Sequence, residues 1–334
     1  MAVDDGDHSP AVSVIIPTWN QSPLVASVLN NLRQQTIAPT EILVIDNGSA
    51  DDTFAVAERN GARVVRLPEN RGFAAAVNAG ILDARCEWLL LLNNDVDLNT
   101  DWIETALNTA REESAQFVTG KLLQARSPER LDGTWDLVSR AGCAWRCGWN
   151  ARDGDLWNKR RRIHFGSFTA LLVHRAVFNE TGLLDTRNGS YYEDVDFGIR
   201  SALAGIIGIY EPAAVGRHLG SATLGTGARS TYLISRNQVL LASKFGLAQL
   251  SLWRVLLGQT LFLMPRVRQR TLGAAIKGKW DGLRLSRSWH RYEPDFQRVR
   301  EMLEESEAEI RKFQNLIGFD LSWKMYFALC GRRS

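Results

Sequence analysis

Trp88-Leu-Leu-Leu-Leu92 runs directly into Asn93-Asn-Asp-Val-Asp97, and this junction decides the fold. Five uninterrupted apolar residues read as a strand covered on both faces, the pattern of a parallel sheet. The polar residues that follow at once mark the carboxyl end of that strand, where open α/β sheets bind ligands. Asp95 and Asp97, two residues apart on a turn, suit one hard cation. Mg²⁺ and Mn²⁺ take oxygen ligands and keep substrate phosphates in their shell. An Asp-x-Asp pair alone is also a solvated turn or a helix cap; the buried strand in front of it favours metal.

Upstream, strands and helices alternate. Val12-Ser-Val-Ile-Ile16 is a β-branched run stopped by Pro17, and Ser22-Pro23 reads as cap and first residue of a helix to about Gln34. Glu41-Ile-Leu-Val-Ile45 is the next strand, ending at Asp46. Ser49 and Asp52 have the spacing of a capping box for a helix to about Arg59. Arg63-Val-Val-Arg-Leu67 is a third strand, and an Ala-rich helix follows from Gly72 to Ala84. Such alternation predicts βαβ units and a mostly parallel, Rossmann-like sheet flanked by helices. The polar residues at the strand ends, Thr18, Asn20, Asp46, Asn47, Asn93, Asn94, Asp95 and Asp97, are then expected in one crevice.

Downstream the signals are sparser. Residues 126–163, rich in Trp, Arg, Gly and Asp, read as a long loop or small insertion over the sheet, and its Lys159-Arg-Arg-Arg162 suits either phosphate or water. Strand character returns at 164–175. Tyr191-Tyr-Glu-Asp-Val-Asp-Phe-Gly-Ile-Arg200 places three carboxylates in four residues. Their repulsion raises the pKa of one of them, which suits a general base. The same acids also favour a helix N-terminus, and both readings stand. His218 is a third metal ligand only in company with Asp95 and Asp97. The Gly-x-Gly-x-x-Gly fingerprint, the phosphate-loop lysine motif and the Gly-x-Ser-x-Gly elbow do not occur, which weighs against dinucleotide, P-loop and α/β-hydrolase chemistry.

Composition narrows the class further. The chain has 334 residues, somewhat more than one core usually supports. Its net charge of +3 argues against a dedicated nucleic-acid binder. Four scattered cysteines are no disulfide scaffold, and Cys143 with Cys147 falls short of a four-ligand zinc site. Residues 1–10 carry three aspartates and no apolar run, so they read as a flexible N-terminus without a secretory signal, in a cytoplasmic protein.

In order and spacing these motifs resemble the family 2 glycosyltransferases, nucleotide-sugar enzymes of the GT-A fold, and most of all their bacterial rhamnosyltransferase branch. The resemblance covers residues 11–245. Val14-Ile-Ile-Pro-Thr-Trp-Asn20 resembles the opening strand and loop along the nucleotide, which implicates Pro17, Thr18 and Asn20. Val44-Ile-Asp-Asn-Gly-Ser49 resembles the second strand end, implying that Asp46 contacts the base beside Asn47. Asn70-Arg-Gly-Phe-Ala-Ala-Ala-Val-Asn-Ala-Gly80 implies Arg71 and Gly72 near the nucleotide. Leu92-Asn-Asn-Asp-Val-Asp97 is similar to the metal motif, implying Asn94 and Asp95 at the nucleotide and Asp95, Asp97 and His218 around Mg²⁺ or Mn²⁺. The resemblance implies an inverting transfer with Asp194 as base and Glu193 and Asp196 on the acceptor side. The donor is a nucleotide-diphosphate sugar, dTDP-rhamnose or a UDP-sugar. The acceptor is a hydroxyl of a glycan or polyprenyl-linked acceptor in cell-surface polysaccharide synthesis. The competing readings are a sugar nucleotidyltransferase, whose Gly-rich basic loop Thr18-Trp-Asn-Gln-Ser22 lacks, and a non-catalytic nucleotide-sugar-binding protein.

From about Phe245 the composition changes, and residues 246–334 are expected to form a helical appendage. Residues 247–264 are mostly apolar, borderline for a membrane span. Residues 254–291 hold nine Lys or Arg and one Asp, a net +8 that leaves the rest of the chain at −5. An apolar helix beside a basic one suits an anionic membrane surface through 247–291, on the cytoplasmic face; it also suits helices packed on the catalytic domain. Phe296, Val299, Leu303, Ile310, Phe313 and Ile317 recur at helical spacing, for packing or for a homodimer.

Overall fold

The structure, a computed structural model, describes residues 11–220, 227–287 and 295–330; the expected flexible segment 1–10 lies outside them. The first half runs β1 (Val12–Thr18), α1 (Ser22–Leu32), β2 (Glu41–Asp46), α2 (Thr53–Arg59), β3 (Arg63–Arg66), α3 (Phe73–Asp83), β4 (Trp88–Leu92), β5 (Val96–Leu98) and α4 (Trp102–Glu113). Next come β6 (Phe117–Gln124), β7 (Ser127–Gly133), β8 (Asp136–Val138), β9 (Ala144–Arg146), β10 (Arg161–Ile163), β11 (Ala170–His174), α5 (Ala176–Thr181), α6 (Glu193–Leu203) and β12 (Gly208–His218). Helices α7 (Ala228–Lys244), α8 (Leu247–Leu261), α9 (Met264–Arg268), α10 (Leu272–Ser286), α11 (Phe296–Ile317) and α12 (Leu321–Cys330) complete the chain.

The main sheet has the order β10-β12-β6-β11-β4-β1-β2-β3. Strands β4, β1, β2 and β3 are parallel, so their carboxyl ends lie along one edge. Strand β11 pairs antiparallel with both β4 and β6, and β12 then runs parallel to β6. Strand β4 is central: Leu90 faces Val14 on one side and Leu172 on the other. Its side chains alternate between two cores. Leu89 and Leu91 join Ile15, Ile45 and helix α3, whereas Leu90 and Leu92 join Val14, Ile16 and helices α1 and α4. A strand buried on both faces must be apolar throughout, which is why no polar residue interrupts positions 89–92. Truncating Leu90 to alanine is expected to cost about 2–5 kcal/mol.

Two helix starts differ from expectation. The cap of α1 is Gln21, with Pro23 in the first turn. The capping box at Ser49 does not form: Ser49 Oγ accepts from Asn20 N, while Asp51 Oδ1 accepts from Thr53 N at the start of α2. Tertiary hydrogen bonds to the neighbouring loop outcompeted the local motif. Residues 126–163 are ordered rather than a loop. Strand β7 folds back on β6, β8 and β9 form a separate ribbon, and β10 extends the sheet edge. Of the basic cluster there, Arg160 pairs with Glu112, Glu113 and Glu211, and Arg161 lies over the rings of Trp135 and Phe313. These two arginines are therefore engaged within the fold, not aimed at a phosphate.

The C-terminal helices pack on this body. Helix α10 lies against α7 through Gly278 and Gly282; a Cβ on Gly278 would stand 2.3 Å from Tyr232 O. The apolar stripe of α11 is covered within the chain, with Val299, Leu303, Ile310 and Phe313 fully buried. Segment Leu247–Arg268 is long and apolar enough to cross a membrane by length and composition. It bends at Ser251, buries Val255 and Leu261, and ties Arg254 to Glu307.

Candidate active site

A cleft of about 650 Å³ opens at the carboxyl ends of β1, β2 and β4. Its first wall is built from strand ends. Pro17, Thr18, Asn47, Arg71, Gly72, Asn94 and Asp95 all line it. Asn94 Nδ2 donates to Thr18 Oγ1 at 2.8 Å, which joins the ends of β4 and β1. Asn47 organises the loop before α3: its Oδ1 accepts from Arg71 N at 2.9 Å and its Nδ2 donates to Gly72 O. Gly72 has φ +88° and its Cβ position lies 2.8 Å from the Gly189 backbone, so no side chain fits there.

Asp46 and Asn20 stand just outside the lining. Asp46 is fully buried; its Oδ1 accepts from Ser49 N and its Oδ2 lies 3.3 Å from Arg66 Nε without a hydrogen bond. Asn20 Oδ1 accepts from Ala50 N. Asn20 thus fastens one loop to the next.

Of the expected metal pair, Asp97 lies on β5 opposite Arg217, between the buried Val96 and Leu98, exposed and outside the cleft lining. Asp95, in the turn before β5, is buried, with Oδ1 3.2 Å from His218 Nε2. The far side of that ring, Nδ1, is 2.8 Å from Asp132 Oδ2. Burial lowers the imidazole's proton affinity, but the bonds to Asp132 and Asp95 lift its pKa to about 9.

The second wall centres on Glu193 and Asp194 at the start of α6. The two residues before them, Tyr191 and Tyr192, both have left-handed backbones, φ 68° and 71°. This strain is held by distant contacts. Asn237 Nδ2 donates to Asn188 O, Ser190 O and Tyr191 O, and Tyr192 Oη accepts from Ala144 N. Asp194 Oδ1 accepts from its neighbour Val195 N. Arg146 brings positive charge among the acids, 3.3 Å from Asp132 and 3.5 Å from Asp136. Burial raises the pKa of Asp194 against the pull of Arg146. Burial and the Asp194 charge raise Glu193 as well, and burial lifts Asp136 to about 7. Glu193 Oε2 and Asp136 Oδ2 are buried without a hydrogen bond.

Asp196 does not belong to this wall. It is 1 % exposed, paired with Arg200 at 2.9 Å and Lys244 at 2.5 Å. About half a turn of helix separates Asp194, which faces the cleft, from Asp196, which bonds α6 to α7. Sequence reading missed Asp132, Asp136, Arg146, Arg229 and Arg266 at the site. They come from β7, the ribbon and the C-terminal helices, where no periodicity marks them; Asp132 meets His218 across 86 residues.

Among the described residues, no group of three His, Cys, Asp or Glu side chains is placed to hold a metal. A pair, however, is what a cation shared with a substrate diphosphate needs. Asp95 and His218 both line the cleft and would be the protein ligands of such a cation. Asp132 behind the imidazole is the outer carboxylate usual for a metal-bound histidine. The residues present fit Mg²⁺ or Mn²⁺. All four cysteines are buried and free.

Comparison with known proteins gives the family and the fold. The model of Glycosyl transferase family 2 matches residues 13–182. The chain is 30% identical over 234 residues to the N-acetylglucosaminyl-diphospho-decaprenol L-rhamnosyltransferase of Mycobacterium tuberculosis, covering 62% of this chain and 75% of that one. It is 30% identical over 197 residues to an uncharacterised glycosyltransferase of Mycobacterium bovis, covering 58% and 80%. Among solved structures it resembles GalNAc-T7 with UDP, GalNAc and Mn²⁺ (TM-score 0.61, 14% identity), covering 91% of this chain and 58% of that one. It also resembles the mannosyltransferase PcManGT of Pyrobaculum calidifontis with GDP-Man and Mn²⁺ (TM-score 0.51, 15% identity), covering 97% and 86%. The fold is GT-A, and the chain belongs to glycosyl transferase family 2.

Proposed function

We propose that this glycosyltransferase moves a sugar, with inversion, from a nucleotide-diphosphate donor to a hydroxyl of a lipid-linked glycan acceptor. One observation carries the reading: the Asp95–His218 pair and Asp194 open into the same cleft. In this reading Asp95 and His218 hold Mg²⁺ or Mn²⁺, which when bound neutralises the leaving diphosphate. Thr18, Asn47, Arg71 and Gly72 seat the nucleotide, and Asp46, behind the lining, braces the Ser49 loop and Arg66 on the side expected for its base. Asp194 accepts the proton of the acceptor hydroxyl as that oxygen bonds to the anomeric carbon and the diphosphate departs. Glu193 orients the acceptor, and Asp196 supports α6 from behind. The acceptor class follows the mycobacterial relative's name, which also favours a rhamnosyl donor. A screen of dTDP-, UDP- and GDP-sugars for hydrolysis, with Mn²⁺ or Mg²⁺ or with chelator, tests this. Metal-dependent release of one nucleotide supports it, and release without metal, or of none, counts against it.

Within the same proposal, residues 246–334 form the appendage that brings the site to a cytoplasmic membrane face. Helix α10 turns its glycines inward and exposes Ile276, Trp280 and Leu283 beside Lys277, Arg284 and Arg287. An outward apolar face with basic flanks suits anionic lipid. Co-sedimentation with phosphatidylglycerol vesicles should exceed that with neutral vesicles and fall on Trp280→Ser; equal binding to both would remove the membrane contact.

A further inference from the structure

Most deeply placed cations in this chain face an acid. Lys121 pairs with Asp153, Lys244 with Asp185 and Asp196, Arg200 with Asp196, and Arg254 with Glu307. Others bond only to uncharged oxygens, as Arg175 does to Ile81 O and Ala84 O and Arg236 does to Asn188 O; Arg266 and Lys279 are of this kind, and they are neighbours. Arg266 of α9 lines the cleft beside Tyr192, and its guanidinium lies 4.3 Å from the centroid of the Phe262 ring. Its Nη1 donates to Gln269 Oε1 at 2.7 Å, and its Nε is buried without a partner. Lys279 of α10 stands by the same ring, 5.6 Å from Nζ to centroid, and donates only to the neutral oxygens of Gln238 and Gln259, at 3.2 and 3.1 Å. Among the described residues neither forms an ion pair. Burial pushes both pKa values down, that of Lys279 to about 8. Two half-buried positive charges with no counter-charge are costly unless a ligand supplies one.

Their position says which ligand. The Asp95–His218 pair belongs to the first wall, with the strand ends, whereas Arg266 lines the cleft on the side of Tyr192 and the α6 start. On α9 and α10 exposed apolar side chains, Met264 at 41 %, Val267 at 62 % and Ile276 at 53 %, stand among the exposed bases Arg268, Arg270 and Lys277.

We infer that Arg266, with Lys279 behind it, forms a second anion subsite that takes the diphosphate of a lipid-linked acceptor, the chain of that lipid leaving over α9 and α10. The inference deepens the proposed function and rests on its acceptor class. Fixed cations carry the charge here, so this site needs no metal, unlike the donor site.

The test is binding of farnesyl diphosphate, a sugar-free probe, by calorimetry in chelator. Wild type and Asp95→Asn are expected to bind it alike. Arg266→Gln should weaken binding at least tenfold, and Arg266→Lys should restore part of it. Retained Mn²⁺-dependent nucleotide binding shows that Arg266→Gln is folded. With a lipid-diphosphate acceptor, Arg266→Gln should raise the acceptor KM at least tenfold and leave the donor KM and the hydrolysis of donor unchanged. Equal binding by wild type and Arg266→Gln, no binding by wild type, or binding that requires Mn²⁺ and vanishes in Asp95→Asn would each overturn the subsite. So would displacement of the probe by phosphatidylglycerol vesicles as readily as by inorganic diphosphate, which would make these cations membrane contacts. Failure of every nucleotide sugar to turn over removes the proposed function and leaves this binding result standing.

Discussion

The two walls of the cleft are made in different ways. The first is local: Thr18, Asn47, Arg71 and Asp95 sit at the ends of consecutive parallel strands or in the loops that follow them, and sheet topology alone brings them together. The second is assembled from far apart. Asp132 and Arg146 come from the segment after β6, Asp194 from α6 and Arg266 from the C-terminal helices. Polar groups on the first wall are bonded to one another, as Asn94 is to Thr18. Those on the second include buried oxygens without donors and a guanidinium without an acid. A shared nucleotide calls for a fixed geometry that the sheet supplies; a wall of distant parts can be rebuilt for a different partner without disturbing the strands.

The difference between the walls is open to test by substitution. The largest effect is expected at Asp194. Asp194→Asn removes the proposed base and should lower turnover by about 10²–10⁴-fold, with nucleotide binding by calorimetry unchanged. On the opposite wall Asp95→Asn should lose most Mn²⁺-dependent nucleotide affinity, about tenfold or more, whereas Asp97→Ala should stay within twofold of wild type. Equal losses in the two variants would restore Asp97 to the metal site and undo the contrast drawn from β5. A smaller effect concerns pH. Asp194 must be ionised to act, and burial raises its pKa, so kcat/KM should rise with pH on the acid limb and then level off. Arg146→Gln removes the positive charge that opposes this rise and should move that limb to higher pH. A limb that does not move would separate Arg146 from the base.

The same group predicts a stability trend. A carboxyl whose folded pKa is raised stabilises the fold below its unfolded pKa, and that contribution is lost as pH rises through the folded value. Burial raises Glu193, Asp194 and Asp136, the last to about 7. Thermal unfolding should therefore show stability from this cluster declining between mildly acid and neutral pH, and less steeply in Glu193→Gln.

Sequence pattern made the first wall legible because strand ends and apolar runs are short-range signals. Leu89 to Leu92 announced both a buried strand and the residues beyond it. Asp95 and Asp97 look equivalent in sequence, but Asp95 lies buried in the turn before β5, whereas Asp97, between the inward Val96 and Leu98 of β5, faces water. Half a turn along α6, Asp196 is close in sequence to Asp194 but bonds Arg200 and Lys244. Asp132, Arg146 and Arg266 were not legible at all. They carry no periodic signal, and their roles arise only when the β8–β9 ribbon and α9 close over the cleft. The charge pattern did show that the C-terminal region is basic, but not that one of its arginines faces the cleft.

Nucleotide-sugar binding and turnover measured side by side in Asp194→Asn and Asp95→Asn, each with and without Mn²⁺, test the division of labour between the walls most directly. Asp194→Asn is expected to bind donor as wild type does, in a metal-dependent way, while transferring almost nothing; Asp95→Asn is expected to lose the metal-dependent part of binding. Turnover by Asp194→Asn within tenfold of wild type, or metal-dependent donor binding that survives intact in Asp95→Asn, would contradict the assignment.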